Sequence, residues 1–188
     1  MNSKIVIIGA GTAGISTYLQ LKQYNLDVYV IEAGGNLDQR LEANDPYIAN
    51  GFGGSGLFSD GKWSIFPAGT SLLKQNPYEL RRSFSAIIDY LKQALPSYSV
   101  QFDDLLASVI SYIGDNTVSS EQIERKFQSI TVPKFKGYKS VVINHFDDAL
   151  AILNHLHELV DQKKIIYNTT VTNIAKKDNR YVLTCKGK

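Results

Sequence analysis

Cysteine is nearly absent from this sequence, since Cys185 is the single cysteine among 188 residues. A single thiol excludes a disulfide within the chain. It lies in a segment of alternating apolar and polar residues, which favours a thiol in the core or on an edge strand over a redox-active one. A chain without disulfides fits a reducing compartment, so we expect a cytoplasmic protein.

Long apolar runs and strong net charge are lacking as well. The first apolar run is far shorter than the roughly 20 residues that span a bilayer, and it ends in glycines, so we expect neither a signal peptide nor a membrane segment. The formal net charge is +2, and no cluster interleaves basic with aromatic residues. We therefore expect no nucleic-acid or membrane partner, and the substrate expected in their place is a small molecule of unknown identity.

A strand, a glycine-rich turn, a helix and a second strand follow one another from Lys4 to Glu32. The continuous apolar run Ile5–Ile8 predicts a parallel strand that is buried on both faces. A helical apolar stripe comes next, and the second strand, Val28–Ile31, is closed by an acid. The glycines of the turn are Gly9, Gly11 and Gly14. A unit of about 30 residues with all these parts predicts a dinucleotide-binding site.

Each glycine of this turn has a physical role in such a site. Gly9 permits the tight turn, Gly11 lets a pyrophosphate approach the backbone, and Gly14 lets the helix pack against the strand. The helix N-terminus offers unpaired N–H groups and the positive end of its dipole to the phosphates. The intervening residues that we assign to the same site are Ala10, Thr12 and Ala13. A glycine-rich turn without a ligand is the alternative.

Glu32 ends the second strand, where a carboxylate accepts both hydroxyls of an adenosine ribose. Its charge repels a 2′-phosphate, which favours a cofactor without one. The following loop contributes Ala33, Gly34 and Arg40 to the predicted site.

A second glycine-rich stretch extends from Asn50 to Lys62, with five glycines in the eleven residues 51–61. The stretch also carries Phe52 and Phe58, which make it too apolar for a flexible linker. We interpret it as backbone that lies against a flat ligand, and a purely structural glycine loop is the alternative.

Together, these residues resemble the FAD-dependent oxidoreductases with a glutathione-reductase-like nucleotide fold. Residues 53–62 read GGSGLFSDGK, which is most similar to FAD-dependent dehydrogenases with a GGAGxFSDGK-like segment. The resemblance implies an FAD cofactor, with the second segment along its pyrophosphate and flavin. That role falls on Gly54, Ser55, Gly56, Asp60, Gly61 and Lys62. Ser55 stands where the pattern has alanine, which is a small change.

Two further roles are expected. The resemblance implies that Val171 presents its backbone to the adenine, and from their position in the sequence Asp60 or Lys62 would lie near the flavin ring and adjust its electronic properties. The sequence names no catalytic base. It also predicts no metal site, because His155 and His157 are two residues apart and point in different directions on a helix.

The middle of the chain is predicted to be mainly helical. Asn76 with Pro77 starts one helix, Asp103 caps a second, and Ser119 with Gln122 starts a third. A long helix is predicted after Asn144 or His145. A strand then follows near Ile165, and two alternating segments, Thr170 to Ile174 and Tyr181 to Cys185, predict a hairpin.

The spacing of the strands distinguishes a flavin-binding domain from a nicotinamide-binding one. A nicotinamide half-domain places its third parallel strand after one short crossover. Here the second strand ends near Glu32 and the next candidate begins near Ile165. An insertion of that size, followed by a hairpin, is the layout of the resembling flavoproteins.

We therefore predict an α/β protein with a Rossmann-like FAD/NAD(P)-binding domain formed by residues 1–65 and 161–188. Its parallel sheet has the order third, second, first, with helices on both faces and a β-hairpin. Residues 66–160 form a mainly helical insertion that belongs to a substrate or cap region. We expect the domain to be C-terminally incomplete, with a C-terminal complementing chain as a partner.

The expected function is that of a flavin-dependent oxidoreductase in which a substrate hydride passes to FAD. The alternatives are an inactive truncated flavoprotein or nucleotide-binding subunit and, less favoured, an NAD-dependent dehydrogenase. Whether the chain is itself an enzyme stays open at this stage.

Overall fold

The computed structural model describes residues 4–43, 49–55, 62–64, 75–113, 140–142 and 146–187. The strands are β1 (Ile5–Ile8), β2 (Val28–Ile31), β3 (Lys62–Ser64), β4 (Ser140–Val142), β5 (Ile165–Ile166), β6 (Thr169–Lys177) and β7 (Arg180–Gly187). The α-helices are α1 (Thr12–Lys22), α2 (Leu37–Glu42), α3 (Pro77–Ala94), α4 (Ser99–Ile113) and α5 (Phe146–Leu159). The chain forms two compact units, Met1–Asp60 with Ala149–Lys188, and Gly61–Asp148.

A three-stranded parallel sheet of order β1-β2-β5 organises the first unit. Ile8 pairs with Ile31 and Ile31 pairs with Ile166, so the strands end together at one edge. The α/β prediction and the strand order third, second, first are confirmed. The carboxyl ends of parallel strands are the edge where ligands bind in such sheets.

One face of this sheet is buried and faces α1. Val28, Val30 and Ile165 lie on it and are 2%, 1% and 7% exposed. A Cβ placed on Gly14 of α1 would lie 3.4 Å from Ile7 Cγ2, and Ile7 is the register partner of Val30. The helix therefore covers this face.

The other face of the sheet is exposed on its two outer strands, β1 and β5. Val6, Ile8 and Ile166 are 40%, 49% and 47% exposed, whereas Ile31 of the central strand is buried. The prediction that β1 is buried on both faces is therefore wrong for this structure. The apolar run shows that both faces of β1 are suited to burial. Burial of the second face also needs a layer of structure that covers it, and Val6 and Ile8 stay exposed in the described part of the chain.

The predicted hairpin is confirmed as the antiparallel pair β6 and β7, with Lys177 opposite Arg180. The turn residues Asp178 and Asn179 have φ values of 45° and 63°, the left-handed region that Asp and Asn tolerate best after glycine. A bulge separates Val171 from Asn173.

The second unit contains α3 and α4, which pack on each other, and Ile88, Leu91 and Phe102 of these helices are buried. The predicted start of α3 is confirmed, because Asn76 Oδ1 accepts a hydrogen bond from Tyr78 N at 2.8 Å. The predicted cap at Asp103 is wrong. Helix α4 already begins at Ser99, and the Asp103 carboxylate accepts a hydrogen bond from Lys92 Nζ at 2.8 Å.

Strands β3 and β4 of this unit pair in antiparallel fashion. The helix predicted from Ser119 and the cap predicted at Asn144 or His145 lie outside the described residues. Among the helices that are described, none is long and apolar enough to cross a membrane.

Candidate nucleotide-binding site

The turn between β1 and α1 opens at the carboxyl edge of the sheet. Gly9 has a φ of +99°, and its N–H donates to Ile31 O at 2.8 Å, which ties the turn to β2. Gly11 is the N-cap residue of α1, and Ile15 N donates to its carbonyl oxygen at 2.9 Å. The first N–H groups of the helix precede that bond and have no partner within the helix. The helix dipole adds a partial positive charge there, so the turn suits an anion.

Gly14 and Gly11 differ in what a side chain would meet. A Cβ at Gly14 would lie 1.9 Å from the carbonyl oxygen of Gly9, which the backbone does not permit. A Cβ at Gly11 would meet only the Cα of Gly54, at 4.0 Å. The fold itself therefore requires glycine at 14, whereas the space beside Gly11 is available to a ligand.

Glu32 lies at the centre of the site and is 5% exposed. Its Oε2 accepts the N–H of Ala10 at 2.6 Å, and its Oε1 accepts those of Gly34 and Gly51, both at 2.8 Å. A carboxylate has about four acceptor positions, so roughly one remains on Oε2. The sequence predicts that this acid accepts two ribose hydroxyls, and the geometry leaves acceptor capacity for about one more donor.

Arg40 of α2 is the second buried charge of the site, with 6% of its surface exposed. Its Nη1 donates to the carbonyl oxygen of Phe52 and, at 3.1 Å, to that of Gly54. Burial lowers the pKa of the Arg40 guanidinium, and the negative charge of Glu32 opposes that shift. The side chain predicted to bind cofactor thus contacts the second glycine-rich segment.

The two glycine-rich segments lie against each other. Gly53 N donates to Ala10 O at 2.8 Å, and Gly53 pairs with Gly11 in a parallel bridge. Gly54 has a φ of +61°, and a Cβ there would approach Gly11 Cα to 3.1 Å. Glycine at position 54 therefore allows the segments to meet backbone to backbone.

The other predicted residues lie outside the contact between the two glycine-rich segments, and Thr12 and Ala13 begin α1. Gly34 O accepts Asn168 N at 2.9 Å, which ties the loop of Ala33 and Gly34 to the start of β6, where Val171 pairs with Cys185. Ser55 follows Gly54 and is exposed. The positions outside the described residues are Gly56, Asp60 and Gly61, and Lys62 begins β3 in the second unit.

The sequence reasoning missed two residues next to Glu32. Gly51 donates its N–H to the carboxylate with a φ of +111°, and its place at the start of the glycine-rich stretch was the available signal. Burial raises the pKa of Tyr167, and the charge of Glu32 raises it further. No pattern in the sequence marks that tyrosine. Phe52, which makes this stretch too apolar for a flexible linker, is fully buried with its ring edge-on to His157 at 5.3 Å.

A family model supplies the comparison with known proteins. The model of the pyridine nucleotide-disulphide oxidoreductases matches residues 3–188. The searches of curated proteins and of solved structures returned no match. The Rossmann-type sheet and the family match together indicate a flavin- or nucleotide-binding oxidoreductase domain, so that part of the sequence prediction is confirmed. The chain belongs to the pyridine nucleotide-disulphide oxidoreductase family, whose members bind FAD or NAD(P).

Proposed function

We propose that this chain binds FAD and serves in a flavin-dependent oxidoreductase of the dehydrogenase type. The observation that carries the proposal is the contact between the two glycine-rich segments, with Gly54 against Gly11 beside the buried Glu32. A nicotinamide dinucleotide site needs only the first segment. A second segment whose Gly53 and Gly54 lie at the same turn suits a flavin dinucleotide, which has a larger flat ring system.

The chain's own residues would bind and orient the cofactor. The N-terminal amides of α1 would donate to the diphosphate, and Glu32 would accept a ribose hydroxyl while repelling a 2′-phosphate. Gly11 and Gly54 would leave room for close approach of the phosphates. Flavin, when bound, supplies the capacity to accept a hydride from substrate.

The finer assignments remain part of this proposal. They comprise membership among the dehydrogenases with a GGAGxFSDGK-like segment, a cytoplasmic location, and flavin-adjusting roles for Asp60 and Lys62. A substrate or cap region formed by residues 66–160 is proposed on the same basis.

A second candidate function is that of a nucleotide-binding subunit which acts only with a complementing polypeptide. The exposure of Val6, Ile8 and Ile166 on one face of the sheet favours it, because apolar side chains on a parallel sheet are normally covered.

Titration of the purified chain with FAD, ADP, NAD⁺ and NADP⁺ tests the proposal, with binding followed by calorimetry and flavin fluorescence. We expect FAD to bind more tightly than either nicotinamide nucleotide and NADP⁺ to bind most weakly. Substrate-dependent bleaching of the flavin by the chain alone would support the enzyme, whereas FAD binding without turnover would support the subunit. Nicotinamide binding without FAD binding would overturn both flavin assignments.

A further inference from the structure

Two buried charges hold the second glycine-rich segment. Glu32 accepts the N–H of Gly51, and Arg40 donates to the carbonyl oxygens of Phe52 and Gly54. Both side chains are almost fully buried, at 5% and 6% exposure. The charges match the peptide groups that they contact. The Glu32 carboxylate accepts from a peptide N–H, and the Arg40 guanidinium donates to peptide carbonyl oxygens.

We propose that Arg40 is a positioning residue for cofactor binding, which acts by fixing the peptide groups of residues 52–54 next to the phosphate turn. This inference rests on the proposed FAD site. In this proposal Arg40 does not contact FAD, and its guanidinium instead sets the orientation of residues 52–54.

The chemistry of a diphosphate explains why that orientation matters. Carbonyl oxygens aimed at phosphate oxygens repel them, while N–H groups and positive charge attract them. Arg40 draws the carbonyl groups of Phe52 and Gly54 toward itself. Gly53 and Gly54 have φ values of 85° and 61°, a region that glycine enters and leaves readily. Without the guanidinium, the Phe52–Gly53 peptide group keeps its bond from Gly53 N to Ala10 O, whereas the carbonyl group of Gly54 loses its partner and can turn its oxygen toward the ligand.

The shape of the side chain matters as well as its charge. A guanidinium presents several N–H donors in a fixed plane, whereas an ammonium is a compact point charge on a flexible stem. The stem of Arg40 passes so close to Gly51 that a Cβ there would lie 2.5 Å from Arg40 Cδ. The segment and the side chain are thus fitted to each other.

The experiment compares Arg40→Met and Arg40→Lys with the wild-type chain and with Lys164→Met. The last variant removes a cation at the opposite edge of the sheet, where Lys164 Nζ donates to Asp27 at 2.7 Å. For each protein, the dissociation constants of FAD and AMP are measured together with the melting temperature. The affinity for AMP tests the contacts around Glu32, and the affinity for FAD also tests the contacts with the whole diphosphate.

We expect Arg40→Met to weaken FAD binding by about tenfold or more while AMP binding changes by less than about threefold. Arg40→Lys should fall between Arg40→Met and wild type, with a measurable loss in the ratio of FAD to AMP affinity. Lys164→Met should lower the melting temperature and leave that ratio unchanged. A merely structural role for Arg40 would make its variants behave as Lys164→Met does.

An unchanged affinity ratio in a folded Arg40→Met protein, with FAD bound by the wild type, overturns the positioning role and leaves the FAD site intact. Should Arg40→Met fail to fold, an unchanged ratio in Arg40→Lys has the same meaning. Failure of the wild-type chain to bind FAD overturns the proposed function itself.

Discussion

The carboxylate of Glu32 and the peptide N–H of Ala10 are joined by a hydrogen bond of 2.6 Å, which links the end of β2 to the turn that follows β1. Two further N–H groups, of Gly34 and Gly51, complete the set around this acid. Glu32 thus holds three chain segments together before any ligand is considered.

Replacement of Glu32 by Gln should lower the free energy of unfolding by about 1–3 kcal/mol, because the new NH₂ group must face at least one N–H that now loses its acceptor. ADP affinity should fall as well. Urea denaturation and calorimetry measure the two effects. Glu42→Gln makes the same chemical change on an exposed side chain of α2 and should stay within about 0.5 kcal/mol of wild type. Equal stability of both variants would show that the three hydrogen bonds are not maintained in solution.

Alanine at Gly14 and at Gly11 should give opposite phenotypes. Gly14→Ala should cost about 3 kcal/mol or more, because its Cβ would lie 1.9 Å from the carbonyl oxygen of Gly9. Gly11→Ala should change stability by less than about 1 kcal/mol, yet weaken FAD binding by about tenfold or more, because its methyl group occupies ligand space. Thermal denaturation and FAD titration separate the two. Unimpaired FAD binding by Gly11→Ala would refute the close approach of a phosphate there.

The Asp27–Lys164 pair should give the sheet a pH-dependent contribution to stability. The hydrogen bond from Lys164 lowers the pKa of Asp27, and the bond to Asp27 raises the pKa of Lys164. The contribution of Asp27 is therefore fully present above its ordinary pKa of 3.8 and is lost as the pH falls through the lowered folded-state pKa. That of Lys164 is present below its ordinary pKa of 10.5 and is lost only as the pH rises through the raised one.

A double-mutant cycle of Asp27→Asn and Lys164→Met, followed by urea denaturation from acid to neutral pH, measures this contribution. We expect a favourable coupling at neutral pH that shrinks once the pH falls below about 4. A coupling that is constant down to the most acid pH would contradict the assignment.

The exposed face of the sheet should tolerate polar residues. Val6→Thr with Ile8→Thr should cost about 1 kcal/mol or less in total, because both side chains are already 40% or more exposed. Val30→Thr places a hydroxyl where the side chain is 1% exposed and should cost about 1–3 kcal/mol. The double variant should also self-associate less in sedimentation experiments, because it removes an apolar surface. A loss in the double variant as large as that in Val30→Thr would show that this face is covered in solution.

The parts of the fold that the sequence predicts are those set by local chemistry. The glycine turn, the N-cap at Asn76 and the hairpin turn at Asp178 each follow from residues adjacent in the chain. The burial of β1 does not follow in this way. Ile8 is as apolar as Val30, and only the layer that covers one of them distinguishes the two.

The candidate site shows the same limit. Glu32 could be singled out from its place after β2, but its donor Gly51 comes from a distant loop, and no spacing rule links the two. Arg40 could be assigned to the site, whereas the direction of its guanidinium depends on the backbone of residues 52–54. Asp103 fits a cap by residue type, yet the 3₁₀ turn of Pro96–Tyr98 starts the helix earlier.

The pairing of Val30 with Ile165 has a consequence for biosynthesis. The first two strands, the phosphate turn and the segment that meets it are all translated before residue 56, whereas β5 leaves the ribosome only after the long insertion. Synthesis at several residues per second leaves a nascent chain for some seconds with both glycine-rich segments made, but without residues 166–169, whose backbone bonds hold Glu32 and Gly34. The loop that carries Glu32 therefore acquires its final backbone hydrogen bonds only after the insertion has been synthesised.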